Sequence, residues 1–352
     1  MTYFRNRTAF RNWTAFRNWT GAGLALGLMS TPLPARPPAA AVADYPSQAS
    51  FPDEDRDAVA RHLSRARALA ATDLWSEFRW RCLVSPLDRQ QVTGVQHDGL
   101  VPPTRLFDAL YSIGQNAVSA YALDTPDGII VIDALNGPEE ARDILVPNME
   151  RLGLDPRRIR YVIVTHGHGD HYGGAKYLQD RYGARVVAAE ADWALMNGPQ
   201  PGPFAALAPP RRDIVAKDGD GVTLGGTTVR LHVTPGHTPG TLSLIFPVTD
   251  KGKRHWAGLM GGSGGGRDSA SIRRQIASLE RWEKLTAAAG VDVLLTNHPS
   301  HNDATERQVL LRYAMPGDAN PFVIGADRYR RFTRMLSECS RVQLARMGEG
   351  EE

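Results

Sequence analysis

The stretch Thr165-His166-Gly167-His168-Gly169-Asp170-His171 packs three imidazoles and a carboxylate into six consecutive residues. It follows Ile159-Arg-Tyr-Val-Ile-Val164, a β-branched run that reads as a strand delivering the chain into His166. Gly167 and Gly169 permit a tight turn between the imidazoles. Three of the ten histidines fall in this one loop, and metal coordination is the chemistry that calls for nitrogen and oxygen donors at such density.

Working outward, the pattern alternates between strands and helices. Residues 53–80 carry Val59, Leu63, Ala66, Leu69 and Ala70 at helical spacing. Residues 110–113 and 118–123 read as strands, then a Thr-Pro-Asp-Gly turn at 125–128 leads into an apolar strand at 129–132 that ends at Asp133. Helices are expected at 139–152, 175–182 and 191–196, with a strand at 184–189 and a Pro-bearing loop at 199–210. Strands at 220–224, 227–233 and 241–246 flank Thr234-Pro235-Gly236-His237. A glycine-rich loop at 261–266 precedes a helix at 269–289, a strand at 291–295 leads to Asn297-His298, and a helix at 326–347 follows. Such mixing without an internal repeat points to one α/β domain over 106–352, with a helical and irregular lead-in at 44–105. Each candidate ligand lies just past the end of a strand.

The first 43 residues contain Arg5, Arg7, Arg11, Arg17 and Arg36 and no acidic residue. An apolar run at 21–29 and the small-x-small triplet Ala41-Val42-Ala43 complete the pattern of a signal peptide, so export to the periplasm or the medium is expected, with a mature start near Asp44. The apolar run is far below the roughly 20 residues that span a bilayer. Without the five arginines the formal charge of +3 falls to about −2, which gives no basis for nucleic-acid binding. The two cysteines, Cys82 and Cys339, form no C-x-x-C pair; in an oxidising compartment they either tie the two ends of the domain together or stay as separate buried thiols. His62, His97, His232 and His255 have no partner nearby in sequence and read as structural.

The H-x-H-x-D-H motif after an apolar strand resembles the signature of the metallo-β-lactamase superfamily, and the resemblance extends over roughly residues 106–300. It implies a four-layered αββα sandwich and two zinc ions. His166, His168 and His237 would hold the first ion with one position open, the arrangement of a catalytic zinc. Asp170, His171 and His298 would hold the second. Thioester hydrolases of this family carry a metal-bridging Asp in the turn that corresponds to Gly261-Gly262-Ser263, and the first lactamase subclass carries a cysteine ligand; this chain has neither. What remains is closest to class B, subclass 3 β-lactamases, although the glycine-rich turn departs from the serine-rich one usual there.

The resemblance implies hydrolysis of a β-lactam amide by a metal-bound hydroxide, with Asp170 orienting the nucleophile. Another small ester, lactone or amide, or a zinc-binding module without activity, are the competing readings. Ser263, Tyr172 and His301 are candidate substrate contacts, and Asp133 is placed to orient a ligand imidazole. The glycine run does not match G-x-x-x-x-G-K, which excludes a phosphate loop. A small-molecule substrate is the expected partner, with the oligomeric state open.

Overall fold

Two β-sheets lie face to face, each backed by helices. The computed structural model describes residues 51–87, 96, 99–266 and 268–349, all within one compact unit; residues 1–43, read above as a signal peptide, and His97 lie outside the described residues. The first sheet contains β1 (Thr104–Arg105), β2 (Leu110–Ser112), β3 (Tyr121–Thr125), β4 (Gly128–Ile132), β5 (Ile159–Ile163), β6 (Arg185–Ala189) and β7 (Ile214–Ala216), in that order. The second contains β8 (Gly221–Leu224), β9 (Thr227–Val233), β10 (Leu242–Asp250), β11 (Lys253–Met260) and β12 (Val293–Thr296), ordered β12-β11-β10-β9-β8. Pairing is antiparallel from β1 to β4 and from β8 to β11, and parallel from β4 to β7 and between β11 and β12.

The α-helices of four or more residues are α1 (Arg56–Ala70), α2 (Trp75–Phe78), α3 (Val146–Arg151), α4 (Gly169–Tyr172), α5 (Ala175–Tyr182), α6 (Glu190–Met196), α7 (Ser269–Ala289), α8 (Ala304–Arg312) and α9 (Ala326–Arg346), with one π-helical turn, Arg79–Val84, continuing α2 and another, Ala141–Leu145, leading into α3. α1 starts where the Asp55 carboxylate accepts from the Ala58 amide at 2.9 Å. Among the described residues no helix is long and apolar enough to cross a membrane.

β4 explains why its sequence is apolar throughout. Ile130 and Ile132 enter the core between the sheets, whereas Ile129 and Val131 enter the core under α3, α5 and α6. A third core joins β10 and β11 to α1, α7 and α9. The result is the αββα layering that the family resemblance implies.

β1, α4, β7, β11 and α8 escape the sequence pattern. β7 is a short edge strand, and α8 buries only Ala304 and Gln308, so it has no apolar stripe to read. β11 opens on Lys253 and Arg254 and carries Gly258, where a side chain would strike the Tyr329 hydroxyl of α9. Glycine there is a packing requirement in a strand that otherwise disfavours it.

Cys82 and Cys339 form a disulfide that fastens the π-helical turn to α9 across 257 residues of sequence, with Cα atoms 4.9 Å apart. His62 pairs with Glu338 and His255 with Asp292, each at 2.6 Å, and the His232 ring lies edge-on to Trp282.

Candidate metal centre

The ends of β4, β5, β6, β9, β11 and β12 supply the loops of one site. Asp133, just past β4, adopts a left-handed conformation with φ +58°, a cost offset by what its carboxylate holds. Thr165 donates its amide to Oδ1 and its hydroxyl to Oδ2, both at 2.8 Å, which sets the start of the metal loop. His171 Nδ1 donates to Oδ2 of the same carboxylate at 2.8 Å. The Thr165 carbonyl accepts from the Leu242 amide at 2.7 Å, which links the two sheets beside the site.

His166, His168 and His237 bring ligand nitrogens within 4.8 Å of one another, and so do the ligand atoms of His166, Asp170 and His171. His237 Nε2 is 3.1 Å from His166 Nε2, and His171 Nε2 is 3.2 Å from both His298 Nε2 and Asp170 Oδ2. His298 Nε2 lies 3.7 Å from Asp170 Oδ2. The structure therefore gathers all six residues read as ligands into two adjoining groups, with His166 between them.

The outer nitrogens fix the chemistry of the inner ones. His237 Nδ1 donates to the Gly264 carbonyl at 3.1 Å, and His298 Nδ1 donates to the Ala117 carbonyl at 2.7 Å. A carbonyl only accepts, so in the neutral rings both Nε2 atoms carry lone pairs aimed into the site. Burial pushes His237 down to about 3 and His298 down to about 4, which keeps both neutral at ordinary pH. Burial pulls His171 down as well, but the Asp170 and Asp133 carboxylates overcome it and lift that group to about 10. Desolvation opposes ionisation of Asp170, yet His171 and its neighbours hold it well below the usual carboxylate range. Converging lone pairs beside two carboxylates call for a cation, and either a proton on His171 or a metal ion supplies it. The donor set therefore fits a metal.

Asp192, on α6, is not visible in any sequence motif, yet it ties two ligand loops together. Its carboxylate accepts from the Gly167 amide at 2.8 Å, the Thr238 hydroxyl at 2.7 Å and the Gly240 amide at 2.9 Å. Burial raises its pKa, and these three donors counter that shift.

A cleft of about 230 Å³ opens beside His237 and His298 and is also lined by Arg81, Ser263, Asn297 and His301. Ser263 Oγ and His301 Nδ1 are 3.1 Å apart, so two of the three suggested substrate contacts share the cleft wall. Tyr172 does not join them. Its ring is fully buried in the core under the first sheet and its hydroxyl finds no partner among the described residues, so the suggested substrate contact is corrected to a packing role. Arg81 was not anticipated; its only signal in the sequence is that it precedes Cys82. Gly262 faces the His237 ring so closely that a Cβ there would lie 2.5 Å from His237 Cβ.

Residues 113–250 match the model of the metallo-beta-lactamase superfamily. Among solved structures, the subclass B3 metallo-beta-lactamase BJP-1 of Bradyrhizobium japonicum is 26% identical with a TM-score of 0.63, covering 72% of this chain and 98% of that one. The FEZ-1 metallo-beta-lactamase of Legionella gormanii, at 22% identity and TM-score 0.63, shares the fold over 72% of this chain and 99% of that one. Among curated relatives, a hydroxyacylglutathione hydrolase of Acidiphilium cryptum is 37% identical over 89 residues, which is 25% of this chain and 31% of that protein. This chain thus spans about a third of the length of that relative.

Proposed function

The chain belongs to the metallo-beta-lactamase superfamily, and from that premise we propose that it is an exported hydrolase with two zinc ions that opens the amide of β-lactams. The observation that carries the choice of substrate is the turn after β11. The metal-bridging carboxylate of the family's thioester hydrolases has no counterpart at Gly261-Gly262-Ser263, and the approach of Gly262 to the His237 ring leaves no room for one. The subclass B3 relative, matched over nearly its whole length, supports the same branch.

His166, His168 and His237 would hold one ion, and Asp170, His171 and His298 the other. The observed 3.1 to 3.7 Å separations of the ligand atoms suit zinc, since tetrahedral bonds of about 2.0–2.1 Å put ligand atoms roughly 3.3 Å apart. A bound zinc ion supplies Lewis acidity and makes water acidic enough to act as a nucleophile at neutral pH. Asp170, held ionised by His171 and its neighbours, would orient the attacking water by accepting a hydrogen bond from it. The Ser263 and His301 pair lies along the cleft wall where substrate would rest. The Cys82–Cys339 disulfide supports export, because such bonds persist in oxidising compartments.

The test is to assay the purified, zinc-loaded protein against a penicillin, a cephalosporin, a carbapenem, an acyl-homoserine lactone, a glutathione thioester and an aryl ester. Cleavage of a β-lactam that EDTA abolishes and zinc restores is expected. Turnover of the lactone, ester or thioester with every β-lactam left intact would replace this substrate by the alternative, which the short hydroxyacylglutathione hydrolase matches favour. N-terminal sequencing of the secreted form checks export, with a start near Asp44 expected.

A further inference from the structure

Gln275 is an awkward residue for the place it occupies. It lies on α7, fully buried, between the loop that carries His237 and the turn after β11. Its Nε2 donates to the Gly262 carbonyl at 3.0 Å, and because a carbonyl only accepts, the amide nitrogen must be the end that faces the turn. Oε1 then faces Gly236 and finds no donor among the described residues. A buried acceptor left without a donor costs about 1–3 kcal/mol, and an apolar side chain of the same length would fill the space without that cost. As packing, the glutamine is a loss; what it supplies is the donor.

The surroundings show what that donor holds. Arg281, Ser278 and Gln275 lie at three-residue spacing along α7 and meet the His237 loop in reverse order. Arg281 Nη1 donates to the Val233 carbonyl at 3.0 Å, Ser278 Oγ donates to the Pro235 carbonyl at 2.7 Å, and Gln275 abuts Gly236. Gly236 has φ +147°, and a Cβ there would lie 2.3 Å from Gln275 Oε1, so the backbone before His237 is pressed onto this one side chain. On the other side of the ring the turn is held through Gly262, and its Gly264 carbonyl accepts from His237 Nδ1 at 3.1 Å. The Gly266 amide closes the circuit by donating to the Gly236 carbonyl at 3.1 Å. Gln275 therefore touches both segments that fix the imidazole: the residue before it and the turn that takes its outer N–H.

We propose that Gln275 is a positioning residue for His237, a brace that sets the direction of Nε2 by holding Gly236 and the turn at Gly262 to Gly264 at a fixed separation. It acts only through His237. This role rests on the metal centre of the proposed function and on no choice of substrate.

The test compares Gln275→Met and Gln275→Glu with the unaltered full protein. The first keeps the length and loses the donor; the second leaves a buried carboxyl that stays protonated and donates to the same carbonyl. In zinc titrations against a chromophoric chelator, Gln275→Met should weaken one of the two binding steps about tenfold to a hundredfold and leave the other as it was. The urea midpoint of the metal-free form should stay level or rise, since the unpaired acceptor is gone. Gln275→Glu should bring most of the affinity back. By NMR of the metal-free forms, the His237 imidazole N–H should exchange slowly with water in the unaltered protein and in Gln275→Glu, and fast in Gln275→Met. Either readout unmoved in Gln275→Met, or no recovery in Gln275→Glu, overturns the brace. Weakening of both steps together with a lower urea midpoint, or failure of Gln275→Met and Gln275→Leu alike to fold, assigns the residue to fold support and likewise overturns it. Absence of zinc binding by the unaltered protein is the separate failure of the metal centre itself, and takes the brace with it.

Discussion

A carboxylate that touches no metal governs each half of the centre. Asp133 holds the outer nitrogen of His171, and Asp192 holds the backbone on either side of His168 and His237. Such supports typically set metal affinity by tenfold to a hundredfold. Asp192→Ala should weaken zinc binding by about that factor, measured by competition with a chromophoric chelator, and leave Asp133-dependent contacts intact. His171 yields a pH prediction. Its folded-state value of about 10 means that the metal-free protein carries a proton there at neutral pH. An ion bound at Nε2 must displace that proton, so affinity at the second group should climb as pH rises toward 10 and level off above it. Calorimetry in buffers of different ionisation enthalpy should find about one proton released per ion at that group; a heat independent of buffer would remove His171 from the ligand set. The histidines were readable because four donors fall within six residues. Asp192 was not, since its three partners lie 25, 46 and 48 positions away and nothing in Glu190-Ala-Asp-Trp marks it. Tyr172 misled by adjacency: a helix turns successive side chains by about 100°, so the ring beside two ligands points into the core.

Elements bring their own constraints. The turn after β11 passes so close to His237 that its second glycine is fixed by the ring beside it. Gly262→Ala should displace the His237 imidazole, cost about 1–3 kcal/mol as overpacking, and lower zinc occupancy of the three-histidine group below one ion, read by elemental analysis beside a denaturation curve. Normal occupancy with unchanged stability would mean that the turn yields and the contact is soft. The strands that lead into the site were legible because β4 and β12 are buried throughout and β5, after its exposed Arg160, ends on the buried pair Val162-Ile163. β11 was not, because its glycine and its charged opening answer to α9 and to solvent instead of to strand propensity. α8 hid for the opposite reason, as it exposes Val309 and Leu310 and leaves no periodic face.

At the scale of the molecule, the disulfide closes a loop of 257 residues around nearly all of the sandwich. A loop of that length removes much entropy from the unfolded chain, on the order of 2–5 kcal/mol. Cys339→Ser should reduce the unfolding free energy by about that amount in urea, with zinc content unchanged because every ligand lies between residues 166 and 298. A stability equal to that of the unaltered protein would assign the bond no part in the fold. The layered architecture followed from a six-residue motif, whereas the joining of α1 and α9 into one layer did not, since contacts across such a separation leave no local trace. The disulfide also sets an order of maturation. Synthesis completes every metal-binding loop well before residue 339 emerges, and only then can an oxidant fix the wall that carries Arg81. A chain halted before its last helix would carry every metal ligand in its sequence but lack the partner that fixes the cleft wall and much of the third core, so that wall is the last part of the site to be set as the molecule is made.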